Sequence, residues 1–80
     1  MHKEDIWNAP RKVEVLYAAG WKGGRTDFAS LAECEKHLKA EFGEDTAIEL
    51  RDEEVEDVAT AEVYTKVGGN YKRCAVVQIG

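Results

Sequence analysis

Only one segment of this chain has the period of a helix, and it carries its own start and stop signals. Ser30-Leu31-Ala32-Glu33 has the form of a capping box. In that motif the serine hydroxyl accepts from the N–H of the fourth residue, whose side chain reaches back to the serine N–H. Leu31, Cys34, Leu38 and Phe42 then recur at steps of three or four and form one apolar stripe. Glu35 and Lys39 are spaced for an i,i+4 ion pair in the favourable order. Gly43 stands where a glycine closes a helix. A lone helix with one apolar stripe must lay that stripe on something, and the rest of the chain offers strands.

Lys12 to Ala18 alternates, with Val13, Val15 and Tyr17 on one side and Lys12, Glu14 and Leu16 on the other. A period of two is the mark of a strand. Gly20-Trp21-Lys22-Gly23-Gly24 reads as a turn whose glycines supply positive φ. The short extended run Arg25-Thr26-Asp27-Phe28 then completes a hairpin. After the helix, Thr46 to Arg51 alternates again, and Asp52 to Asp57 is either a loop or a charged strand end that turns back. Thr60 to Val67 and Tyr71 to Ile79 are strands joined by the hairpin turn Gly68-Gly69-Asn70. Ala75-Val76-Val77 has no polar side, which places the last strand centrally or under cover on both faces.

The order is β-β-α-β-β-β. The expected fold class is α+β: a single antiparallel sheet of about four to five strands with one α-helix packed on one face. Residues 1–10 read as a polar N-terminal tail that contains Ile6 and Trp7 and ends at Pro10. Residues 11–80 read as a single domain, as the length of 80 residues implies.

Charge is unevenly spread. Nine of the sixteen acidic residues fall between Glu44 and Glu62, where Arg51 is the only base, so that stretch carries −8. The remainder is +3, and the whole chain is −5. This balance argues against general binding to nucleic acid or to an anionic membrane. No apolar run approaches the roughly 18 residues of a membrane span. Met1 to Asn8 has no apolar core of a secretory signal, and two cysteines are too few for a disulfide framework. A reduced, cytoplasmic protein is expected.

The acidic stretch has two readings. It is a surface that presents carboxylates to a basic partner and imitates a phosphate backbone, or it is a solvated edge that blocks sheet-to-sheet aggregation. Asp52, Glu54 and Glu56 alternate as in a calcium loop, but Asp57 replaces the turn glycine and Val63 the twelfth-position glutamate. No metal site is expected there. Cys34 and His37 form Cys-x-x-His, but only Cys74 and His2 remain to complete a zinc site, and Cys34 lies on the apolar stripe. Gly20 to Arg25 lacks the pattern of a phosphate-binding loop. Trp21 at the tip of that turn is either folded onto the sheet or exposed beside Lys22 and Arg25 as a binding anchor. Tyr64 and Tyr71 flank the last turn with Lys66, Lys72 and Arg73, a composition for cross-strand aromatic packing or for stacking single-stranded bases.

No nucleophile motif is present, since Ser30, the only serine, is a cap. Eighty residues also leave little room for a substrate cleft of about 300 Å³ or more. The functional expectation is therefore a non-enzymatic protein-binding module without cofactor, an inhibitor or adaptor that docks on the basic, nucleic-acid-handling site of a partner protein. Asp52, Glu53, Glu54, Glu56 and Asp57 would supply the electrostatics, with Trp21 and Tyr64 as anchors. Anti-CRISPR proteins of phages and mobile elements share this size and charge, which is analogy alone. Two alternatives stand beside it. One is a nucleic-acid-binding sheet using Trp21, Tyr64, Tyr71, Lys22, Arg25, Lys72 and Arg73. The other is a structural subunit that forms a homodimer by pairing its apolar last strand across a two-fold axis.

Overall fold

The computed structural model describes residues 9–55 and 58–80, and for 52–55 the backbone path alone. Its elements run β1 (Val13–Tyr17), β2 (Asp27–Phe28), α1 (Leu31–Phe42), β3 (Ala47–Val55), β4 (Val58–Val67) and β5 (Asn70–Ile79). All five strands form one antiparallel sheet in the order β2-β1-β5-β4-β3. The expected α+β fold with one helix on one sheet face is what the chain adopts. α1 leaves one edge strand, β2, and delivers the chain to the other, β3. It therefore crosses the sheet, and its stripe joins a core to which all five strands contribute.

The stripe is used as expected. Leu31, Cys34 and Leu38 are fully buried and Phe42 packs at the margin. Against them lie Val13, Val15, Phe28, Ala59, Ala61, Val63, Ala75, Val77 and Ile79. Ser30 caps the helix by accepting from the Glu33 N–H at 3.2 Å. The carboxylate of Glu33 pairs with Arg25 at 2.7 Å instead of returning to Ser30. The i,i+4 polar contact of the helix is His37 Nε2 to Glu41 Oε2 at 2.8 Å; among the described residues no Glu35–Lys39 bridge forms. Gly43 closes α1 at φ 117°, and its N–H donates to the carbonyl of Lys39 at 2.9 Å.

Two features depart from plain alternation. The β4–β5 register shifts by one residue between Val63/Ala75 and Tyr64/Arg73, so Cys74 is an extra residue on β5. Both Cys74 and Ala75 are buried, so alternation is broken at this bulge. The register of β3 with β4 also shifts between Leu50 and Glu54. In the β1–β2 connection only Gly20 uses positive φ, at 87°. Gly23, read from sequence as another such turn glycine, serves close approach instead, because its Cα rests on the ring of Tyr17.

The last strand is central, as its apolar run implied: residues 75–79 pair with β1 on one side and β4 on the other. That placement corrects the proposed route to a dimer. Backbone groups already paired on both sides cannot extend a sheet across a two-fold axis. No helix among the described residues is long and apolar enough to cross a membrane.

Candidate functional site on the open sheet face

α1 covers one face of the sheet, and no described element covers the other. Strand parity assigns that open face. It takes Glu14 and Leu16 from β1, Val76 and Gln78 from β5, Thr60, Glu62 and Tyr64 from β4, and Ala47 and Glu49 from β3. The bulge at Cys74 adds two more. Counted straight back from Ile79, Val77 and Ala75, residues 73 and 71 would fall on the helix side. The extra residue reverses that parity, so Arg73 pairs with Tyr64 and Tyr71 with Lys66 on the open side.

Glu62 organises the middle of this face. Its Oε2 accepts from the Tyr64 hydroxyl at 2.7 Å, and its Oε1 accepts from Arg73 at 3.3 Å. Arg51 approaches the same oxygen at 3.8 Å. The tyrosine hydrogen bond, together with the two guanidinium groups, holds the Glu62 carboxyl below the usual carboxylate range. The reciprocal effect raises the Tyr64 phenol, through that hydrogen bond first, then desolvation and the charges of Glu62 and Glu49.

Beside that ring is an open cleft of about 380 Å³ lined by Ala47, Glu49, Tyr64 and Tyr71. Ala47 stands directly across from Tyr64, and its small side chain leaves the space. Tyr71 is 57% exposed and closes the other side. The two tyrosines share the cleft without packing on each other; the ring pairs of the described residues are Tyr17–Phe42, Trp21–Phe42 and Phe28–His37. The expectation that so short a chain leaves little room for a cleft is corrected. The space is the uncovered side of a single sheet, which needs no second layer of protein to enclose it.

The other residues singled out from sequence are scattered. Trp21 is half-buried, with its ring edge-on to Phe42 at 5.6 Å. Of its two expected settings it takes the folded one, and the β1–β2 loop is pinned to the core through it. Arg25 stacks over Phe28 at 4.6 Å and pairs with Glu33 on the helix, away from Tyr64. Lys72 pairs opposite the buried Thr65, on the helix side of the sheet. The backbone of 52–55 is strand, so the described part of Asp52 to Asp57 is a strand end and not a loop. The side chains of Asp52, Glu53 and Glu54, and residues Glu56 and Asp57 entirely, lie outside the described residues, as does the tail before Ala9.

Cys34 and Cys74 are both free and buried. Burial pushes the Cys34 thiol up to about 12 and raises that of Cys74. His37 packs its ring against Phe28 at 5.2 Å, and among the described residues no three metal-ligating side chains converge. Glu49, Arg51 and Glu62 were counted only as charge in the sequence reading, and Ala47 was not singled out. The usable signal was parity: Glu49 and Ala47 on one strand, Glu62 and Tyr64 on its neighbour.

No protein-family model, curated protein or solved structure matches this chain significantly. The functional reading rests on the geometry of this face and its edge.

Proposed function

We propose that this chain is a non-enzymatic protein-binding module, a small acidic inhibitor or adaptor that docks on a basic, nucleic-acid-handling site of a partner protein. The observation that carries the reading is where the −8 stretch runs. Its described residues follow the loop after α1, the edge strand β3 and the first part of β4, which is one margin of the sheet. A margin of one sign steers an oppositely charged surface and mainly raises the association rate. Asp52, Glu53, Glu54, Glu56 and Asp57, the densest acidic run in the sequence, supply the charge. Tyr64 on the adjoining face is the aromatic anchor. Trp21, engaged with Phe42, has less area to offer a partner than its loop position suggested. The setting proposed is cytoplasmic, and the type is that of the phage and mobile-element inhibitors, anti-CRISPR proteins among them, by analogy of size and charge.

The test is retention from a host-like lysate by the wild-type chain and by a variant with Asp52, Glu54 and Glu56 changed to Lys. A partner held by the first and lost by the second supports the reading. Identical retention on both removes it and returns the stretch to a role in solubility.

The alternative of a nucleic-acid-binding sheet draws support from Tyr64, Tyr71 and Arg73 sharing the open face. Its other four residues do not join them: Trp21, Lys22 and Arg25 belong to the β1–β2 connection, and Lys72 falls on the helix side. A gel shift at low salt, lost steeply as salt rises, is the outcome that would favour it.

A further inference from the structure

We infer that the cleft between Tyr64 and Tyr71 is a receptor for an arginine side chain of a protein partner, with Glu49 as its counter-ion. The inference deepens the proposed function and rests on it for the nature of the partner. Three observations define the chemistry. First, the cleft is lined by two tyrosines and the small Ala47, so a flat group that enters it meets aromatic side chains. Second, the one ionisable carboxylate lining it is Glu49, which is exposed and has no hydrogen-bond or ion-pair partner among the described residues. Its neighbour across the ladder, Glu62, already holds Arg73, Arg51 and the Tyr64 hydroxyl. The face therefore has one satisfied carboxylate and one unsatisfied carboxylate, and only the unsatisfied one opens into the cleft. Third, Glu49 belongs to the acidic margin, so a basic segment steered to that margin arrives beside the cleft.

A cation over a tyrosine face is attracted by the ring quadrupole, and a carboxylate at the ring edge adds a charge-assisted hydrogen bond. Arginine fits better than lysine. Its guanidinium is planar, stacks on an aromatic ring and presents paired N–H groups to a carboxylate in the same plane. A nucleobase would find the same rings, but its phosphates would meet Glu49 and the acidic edge strand.

The experiment is a titration of the isotope-labelled chain followed by amide chemical shifts. The probes are acetyl-Gly-Arg-Gly-amide, its citrulline counterpart, which keeps the shape and loses the charge, and a short oligothymidylate. The expected result is saturable shifts centred on Ala47, Glu49, Tyr64 and Tyr71 with the arginine peptide. Affinity should fall about tenfold with citrulline and about tenfold in Glu49→Gln, the worth of one charge-assisted bond. Tyr71→Leu should weaken binding while leaving the spectrum of the core unchanged. Equal response to citrulline, an unchanged response in Glu49→Gln, or the oligonucleotide occupying these residues in place of the peptide would each overturn the inference. The lysate experiment separates this from the wider reading. A partner lost by the Asp52, Glu54 and Glu56 variant but kept by Glu49→Gln, with no peptide binding, rejects the cleft alone. Peptide binding that depends on Glu49, with lysate retention unaffected by that triple variant, keeps the cleft and rejects the margin.

Discussion

The Cα of Gly23 lies against the ring of Tyr17, so close that any β-carbon at that position would overlap the ring atoms. The contact fixes how the β1–β2 loop returns to the sheet. The Tyr17 hydroxyl donates to the carbonyl of Arg25 at 2.6 Å, and the N–H of Gly24 donates to Glu41 at 3.0 Å. Gly23→Ala must displace either the ring or the loop. Overpacking of this kind costs about 1–3 kcal/mol. Urea denaturation should show that loss, with the same slope as wild type, whereas Gly20→Asn should be milder because asparagine tolerates positive φ there.

The same tyrosine gives an alkaline signature. Burial, and then the charge of Glu41, push the Tyr17 phenol up to about 12 from an ordinary 10.0. A folded pKa above the unfolded one means that the neutral form is favoured by folding. The stabilisation is complete below pH 10.0 and is lost as pH rises towards about 12. Cys34, raised from 9.0 to about 12, adds loss of the same sign over a window that begins lower. Tyr17→Phe should be less stable at neutral pH but should lose less stability between neutral and alkaline pH. Thermal melts across that range measure both effects.

Glu62 acts in the opposite sense. Its folded pKa is depressed, chiefly by the hydrogen bond from Tyr64, so its contribution is present above the ordinary carboxylate pKa and disappears as pH falls through the lowered value. Glu62→Gln should leave the core intact and flatten the acid limb of the stability curve. An acid limb identical to wild type would mean that the Glu62 network contributes nothing net.

Thr46 and Thr65 are a buried polar pair. Thr46 donates to the Thr65 hydroxyl at 3.2 Å, and Thr65 donates to the carbonyl of Phe42 at 3.4 Å, which ties the end of α1 to β4. Thr65→Val leaves the Thr46 hydroxyl buried without its acceptor, at a cost of about 1–3 kcal/mol. The double change of Thr46 and Thr65 to Val should cost less than the sum of the two single changes. A strictly additive cycle would show that the pair is not coupled.

The buried thiols predict silence. Cys34 and Cys74 should not react with a thiol reagent at neutral pH until the chain unfolds, because burial opposes the thiolate at both. Prompt labelling of either in the native state would contradict the packing of α1 on β5. Leu38→Ala, which opens a cavity beneath the helix, should cost about 2–5 kcal/mol and speed labelling.

What the sequence by itself determined was local. The capping box and Gly43 bounded α1 to within a residue, and alternation set which sides of β1 and β4 are buried, because these signals involve residues only two to four apart. The strand order was not written in such spacings. That β5 sits between β1 and β4 follows from which pairings bury the apolar residues of all five strands under one helix. The candidate cleft depended on this non-local solution. Plain alternation from Ile79 sends Tyr71 and Arg73 to the helix side, whereas the bulge at Cys74 turns both to the face that carries Tyr64, Glu62 and Glu49. The hint in the chain was the adjacent pair Cys74-Ala75, two small apolar residues where alternation calls for one. Only the packed sheet shows why. Both are buried under the helix, and the shifted parity assembles the open face.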